Sequence, residues 1–201
     1  NIRYFSGFTG ADSYVYLSEE KQVILTDSRY TLLAEETGTG FQVLTVSEER
    51  KYGELLAELL QDDGVRKLGF EDDAMRYSSV KILQEKAGIP VEGWMPLGEK
   101  LSLLRAVKSE EEIGWIAKAE QIGDEAFACI LKELKPGVTE LEIAAKLEYF
   151  MRMQGAEDKS FDTIVASGYH SAMPHAVPTE KRLERGDFVT LDFGCKVQGY
   201  C

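Results

Sequence analysis

Residues 186–195 read Gly186-Asp187-Phe188-Val189-Thr190-Leu191-Asp192-Phe193-Gly194-Cys195. The stretch from Phe188 to Cys195 is rich in β-branched and aromatic residues, and Arg185-Gly186-Asp187 forms a turn before it, so it predicts a strand. Period two puts Val189, Leu191, Phe193 and Cys195 on one face, and Phe188, Thr190, Asp192 and Gly194 on the other. Both faces are apolar or small, as in a strand covered on both sides. Asp192 then stands out, because a carboxylate is costly to bury unless it is paired, hydrogen-bonded or bound to a metal. A metal ion would answer that cost, and so would a nearby Lys or Arg; spacing leaves both open.

On either side of this strand the pattern stays β. Val197-Gln198-Gly199-Tyr200 begins a return strand, and Phe161 to Ala166 predicts an earlier one. Between them runs Gly168-Tyr169-His170-Ser171-Ala172-Met173-Pro174-His175-Ala176-Val177-Pro178, which holds the only two histidines and two of the five prolines. The prolines fix φ and stiffen the loop. His175 is flanked by Met173-Pro174 and Ala176-Val177-Pro178; such a histidine can hydrogen-bond a substrate carbonyl, or it is an ordinary surface histidine. His170 is the weaker candidate. No GxSxG signature accompanies them, so a serine nucleophile is not indicated.

Two long helices precede the β region. Ser109 with Glu112, and Thr139 with Glu142, are capping boxes that open them. Ile116, Ala119, Gly123, Ala126, Ile130 and Leu134 form the predicted apolar stripe of the first, which Pro136-Gly137 ends. Leu141, Ala144, Ala145, Leu147 and Met151 form that of the second, with Gly155 beyond its end. Trp94-Met95-Pro96-Leu97-Gly98 reads as a linker and sets a domain boundary, 1–97 and 98–201.

The first segment reads as β-β-α-β-α-β-α: strands at 14–17 and 22–26 joined as a hairpin by Ser18-Glu19-Glu20-Lys21, a helix over 30–36, a strand at 41–46, a helix over 50–61, a short strand at 67–71 and a helix over 74–87. That order suggests a mixed sheet covered by helices. Gly7-Phe8-Thr9-Gly10 precedes a strand; a phosphate cradle needs glycines that open a helix, so a tight turn is the simpler reading.

The 201 residues are 44% hydrophobic and 29% charged, an ordinary globular balance that sets aside disorder and low complexity. Net charge is −12, distributed as −7 over residues 1–100 and −5 over 101–201. Evenly spread acidity disfavours nucleic acid and anionic membrane surfaces as partners. No apolar run is long enough for a transmembrane helix, and no signal peptide is expected at the start. Three cysteines, none in a CxxC pair, fit a reducing, cytoplasmic setting.

Four motifs in order then carry a resemblance: Ser160–Gly168, Ser171-Ala172-Met173-Pro174-His175, Gly186–Gly194 and Gly199-Tyr200. Together they resemble the Xaa-Pro aminopeptidase (aminopeptidase P) and prolidase family of pita-bread metallopeptidases. Asn1–Gly10 is similar to the opening of that family's creatinase-like N-terminal domain, and Leu104–Ile113 to the segment that opens its catalytic domain. The resemblance implies an α/β creatinase-like domain with a mixed sheet, followed by about half of an α+β pita-bread domain, with the chain truncated at both ends. It implies two divalent metal ions, Mn²⁺ or Co²⁺, held by two Asp, one His and two Glu; only the first Asp matches here, at Asp192. His175 matches the histidine that contacts substrate and stabilises developing charge, so it is the expected catalytic and substrate-binding residue, whereas His170 matches no functional position. The implied substrate is a peptide with proline second, and the implied assembly a homo-oligomer. An Xaa-Pro dipeptidase is the nearest alternative. A metal-free amidinohydrolase is a further one, against which Asp192 speaks, and a non-catalytic binding module is the last. With one metal ligand, the 201 residues alone are expected to be inactive.

Overall fold

The computed structural model describes residues 1–201. The chain forms two units, Asn1–Val107 and Lys108–Cys201.

In the first unit a short helix, α1 (Ile2–Ser6), ends at Gly7, whose φ of 74° is the left-handed geometry that glycine accepts without a Cβ clash. The expected hairpin follows. β1 (Tyr14–Leu17) pairs antiparallel with β2 (Gln22–Thr26), Tyr14 opposite Leu25 and Leu17 opposite Gln22. Ser18 closes the turn: its hydroxyl accepts from the Lys21 amide at 3.0 Å. α2 (Thr31–Thr37) crosses over, and β3 (Gln42–Thr45) lies parallel to β2, giving the order β1-β2-β3. Val23, Ile24 and Leu25 are all buried, because the middle strand is covered on both sides. Val23 and Leu25 pack with Leu55, Leu56, Leu59 and Leu60 of α3 (Tyr52–Asp62), and Ile24 packs with Phe8 and Ala34. Burying each such side chain is worth about 1.5–3 kcal/mol.

A second, two-stranded sheet joins β4 (Leu68–Phe70) to β5 (Trp94–Pro96) in parallel, with α4 (Tyr77–Lys86) between them in sequence. The stretch expected as a linker is therefore a strand, and Trp94 is buried against Phe70. Polar neighbours and Pro96 disguise it; its pairing partner lies 26 residues upstream. α5 (Lys100–Leu104) belongs to the same unit, where Arg105 stacks on Tyr4 at 5.5 Å and donates to Asn1 Oδ1 at 2.9 Å. The division thus falls between Val107 and Lys108, beyond the expected boundary at 97/98.

In the second unit, α6 (Glu110–Ile130) and α7 (Glu140–Met153) both open with the expected capping boxes: Ser109 Oγ accepts from the Glu112 amide at 3.2 Å, and Thr139 Oγ1 from the Glu142 amide at 3.1 Å. Tyr200 donates to Glu112 at 2.6 Å; that bond, together with the capping bonds, holds the Glu112 carboxyl below the ordinary range. The buried face of α6 runs through Ala119, Ile122, Ala126 and Ile130. On α7 it runs through Ile143, Ala144, Leu147 and Met151, so Leu141 and Ala145, expected inside, face outward.

The β region splits more finely than its pattern suggests. β6 (Asp158–Lys159) pairs antiparallel with β9 (Cys195–Lys196), while β7 (Ile164–Ser167) pairs antiparallel with β8 (Val189–Asp192). The single strand expected over 188–195 is two strands with different partners, broken at Phe193-Gly194, where the Gly194 carbonyl accepts from the Ser160 amide at 2.9 Å. Period-two alternation runs unbroken through that joint, so the pattern hides it. Val197 and Tyr200 close a two-residue turn with reciprocal backbone bonds. No helix is long and apolar enough to cross a membrane.

Candidate functional site

β8 ends at Asp192, opposite Ile164 of β7. Val189, Leu191 and Phe193 are partly buried against the α6–α7 core, whereas Phe188, Thr190 and Asp192 are exposed. The expectation of a strand covered on both faces does not hold in this unit: the helices cover one face only. Within these residues Asp192 lies on the uncovered face and is exposed.

Ser167, at the other end of β7, faces Val189 and begins the histidine loop. The ladder places Asp192 three residues from that exit, roughly 10 Å along the strand at about 3.4 Å per residue. The loop starts as a 3-10 turn over Gly168–Ala172, in which Ser171 Oγ donates to the Gly168 carbonyl at 2.6 Å. Ala176 tucks into the interior while His175 beside it is exposed, and no hydrogen bond holds its ring. The structure places His175 and Asp192 in one unit, on a loop and a strand of one β pair, but does not bring their side chains into contact.

His170 has the more elaborate surroundings. It is buried, and its Nδ1 lies 2.8 Å from Glu140 Oε2. Ionised carboxylates only accept, so Nδ1 carries the proton. Glu140, the first residue of α7, is itself fully buried. Its Oε1 accepts from the Ser167 amide at 2.7 Å and the Ser167 hydroxyl at 2.9 Å. Its Oε2 also accepts from the Thr179 amide at 3.1 Å and the Thr179 hydroxyl at 2.8 Å. Burial pushes the Glu140 carboxyl up, but the bonds from Thr179, Ser167 and His170 outweigh it and hold the group below its usual range. Lys181 extends the cluster, donating to Ser167 Oγ at 2.9 Å and Asp187 Oδ2 at 3.0 Å. Bonds to the Glu184 amide and Lys181 in turn hold the Asp187 carboxyl down. Glu140, Ser167, Thr179 and Lys181 escape a reading of the sequence. Glu140 looks like an ordinary acid of a first helical turn, and its partners lie 27 to 39 residues away.

The Creatinase/Prolidase N-terminal domain matches residues 1–107, and Metallopeptidase family M24 matches residues 114–201. The chain belongs to the creatinase/prolidase family of metallopeptidases. The family and the two-part fold expected from the motifs are thus the ones found: a creatinase N-terminal domain followed by part of a pita-bread domain. This family member is 40% identical over 201 residues to the uncharacterized peptidase YqhT of Bacillus subtilis, covering all of this chain and 56% of that protein. Among solved structures it resembles an Xaa-Pro dipeptidase from Bacillus anthracis, with 40% identity and a TM-score of 0.91 over all of this chain and 55% of the other. It also resembles an X-Pro aminopeptidase from Thermotoga maritima, with 36% identity and a TM-score of 0.89 over 98% of this chain and 55% of the other. The chain spans about half the length of the curated relatives it matches.

No group of three or more His, Cys, Asp or Glu side chains comes together in a way that would hold a metal ion. Asp192 offers an oxygen donor of the kind Mn²⁺ accepts, but one carboxylate does not hold two divalent ions. The residues present do not fit a complete dinuclear centre.

Proposed function

We propose that residues 1–201 belong to a proline-directed metallopeptidase that hydrolyses the bond between an N-terminal residue and a following proline. The observation that carries this reading is the ordered pairing of a creatinase/prolidase N-terminal domain with an M24 segment that presents His175 and Asp192 as exposed groups on adjoining elements. In this reading Asp192 supplies one ligand to a pair of Mn²⁺ or Co²⁺ ions, and the other ligands come from outside these residues. His175 donates a hydrogen bond to the oxygen of the scissile carbonyl as charge develops there, a role that suits an imidazole on a proline-stiffened loop. The peptide binds with proline second and loses its first residue.

Aminopeptidase and dipeptidase action break the same bond and differ in how much chain follows the proline. The aminopeptidase is the reading the motifs favour. The dipeptidase reading draws support from the Bacillus anthracis structure, the more similar of the two solved structures above. The three cysteines are unpaired, which supports a reducing, cytoplasmic setting.

The test is hydrolysis by the complete protein, with and without added Mn²⁺, of an Xaa-Pro dipeptide, an Xaa-Pro tripeptide and the tripeptide with alanine in place of proline. Metal-dependent release of the first residue from the proline peptides alone is expected, and the ratio of tripeptide to dipeptide rates separates the two readings. No cleavage, or equal cleavage of the alanine peptide, overturns the proposal.

A further inference from the structure

The start of α7 holds an acid that the helix does not need. Thr139 and Glu142 already satisfy the first turn reciprocally, Glu142 Oε2 accepting from the Thr139 amide at 2.8 Å. An acid that serves only the helix dipole sits in water, as Glu142 largely does. Glu140 instead turns inward, is fully buried and accepts five hydrogen bonds from three residues.

Those three residues share one property. Ser167 is where the chain leaves β7 for the histidine loop, Thr179 is where the loop returns, and His170 lies in its first turn. One carboxylate therefore pins both ends and the near arm of the loop that carries His175. The backbone reinforces the pin: the Glu140 amide donates to the Lys181 carbonyl at 3.1 Å, and the Leu141 amide to the Thr179 carbonyl at 3.2 Å. Lys181 ties Ser167 to Asp187, in the turn that enters β8, so the strand ending at Asp192 shares the same anchor. The His175 ring makes no hydrogen bond of its own, so its place is set by the loop backbone, and the loop backbone is held by Glu140.

We propose that Glu140 is a positioning residue for His175: it does not touch substrate, but holds the loop between Ser167 and Thr179 in the one arrangement that aims His175 at the scissile carbonyl. This rests on the reading of His175 given above. A carboxylate is the group the position requires, because all five contacts come from donors and both oxygens must accept. An amide of the same shape replaces one acceptor with a donor and sets it against the Thr179 amide and hydroxyl or those of Ser167. Loosening such a frame by about 1 Å is enough to cost about a hundredfold in rate.

The experiment is a double-mutant cycle in the complete, metal-loaded protein, with kcat and KM measured on an Xaa-Pro peptide and metal content measured alongside. Glu140→Gln is expected to lower kcat by at least about tenfold with KM and metal content little changed. His175→Ala is expected to lower kcat as much or more. The double variant is expected to be no slower than His175→Ala alone, because a residue that acts through His175 has nothing left to position once it is gone. Exchange of the Ser167 and Thr179 amide protons should quicken in Glu140→Gln, a readout independent of activity. If Glu140→Gln does not fold, Thr179→Val, which removes one donor from the same carboxylate while keeping shape, should give a smaller kcat loss that also vanishes in the His175→Ala background. Losses that multiply in the double variant overturn the role of Glu140, as does an unchanged kcat in Glu140→Gln. An unchanged kcat in His175→Ala overturns the reading of His175 itself, and the proposal with it.

Discussion

The orientation of α7 can be tested by truncating two residues two positions apart. The apolar pattern of the sequence puts Leu141 in the core, whereas the structure leaves Leu141 44% exposed and buries Ile143 completely. Ile143 sits in the cluster with Ile122, Ala126, Ile130 and Leu147. Ile143→Ala removes three carbons, about 2.4 kcal/mol of transfer free energy at about 0.8 kcal/mol per methylene. The cavity left in the cluster brings the total to about 3–4 kcal/mol, inside the range for buried aliphatic truncations. Leu141→Ala gives up only the covered half of a side chain, leaves no closed cavity, and gains slightly in helix propensity, so it should cost about 1 kcal/mol. Trp115 packs against the same core, and Trp94 lies in the other unit, so a Trp94→Phe background makes Trp115 the sole fluorescent reporter. Urea unfolding should then show a large fall in midpoint for Ile143→Ala, a small one for Leu141→Ala, and an unchanged m value for both. Equal costs, or a larger cost at Leu141, would mean that α7 is rotated from the position described and that Glu140 does not point inward.

Three further outcomes follow from particular contacts. Lys21 at 2.7 Å, with Ser18 and Tyr16, holds the Asp63 carboxyl down to about 2; a depressed folded value adds stability above the unfolded value of about 3.9 and loses it as pH falls toward 2. Asp63→Asn should therefore flatten the acid limb of the first unit's urea midpoint between about pH 4 and 2, read from Trp94 in a Trp115→Phe background, and an unaltered limb would contradict the pairing. Gly168 has φ +54°, and a Cβ there would lie 2.7 Å from Asp187 Oδ1, so Gly168→Ala should destabilise the second unit by about 1–3 kcal/mol; a neutral effect on its urea midpoint would refute that geometry. The 201 residues alone should bind no Mn²⁺ stoichiometrically in a calorimetric titration and cleave no Xaa-Pro peptide, whereas stoichiometric binding would show that Asp192 finds partners within this chain.

What was legible in the sequence was mostly local. The capping boxes at Ser109 and Thr139, the Ser18–Lys21 hairpin and the positive-φ glycine just past the end of α7, Gly155, each depend on residues within a few positions, and each forms where the sequence places it. Pairing at a distance leaves no local trace in the sequence. Trp94–Pro96 looks like a linker until Leu68–Phe70 lies beside it. The strand through Asp192 looks continuous because its alternation survives a change of partner at Phe193-Gly194. The candidate site divides the same way. The motifs draw attention to His175 and Asp192, whose roles are proposed above, whereas no motif points to the carboxylate that frames the His175 loop. Glu140 sits where helices ordinarily carry a solvated acid, and only the fold shows that Ser167, His170 and Thr179 converge on it.

The proposed role of Asp192 as a ligand in a metallopeptidase centre is tested most directly by the metal content of the complete protein and of its Asp192→Asn variant. Two divalent ions per chain in the parent, and a clear loss in a variant that remains folded, is the predicted result. Two ions retained in Asp192→Asn, with activity intact, would contradict the assignment.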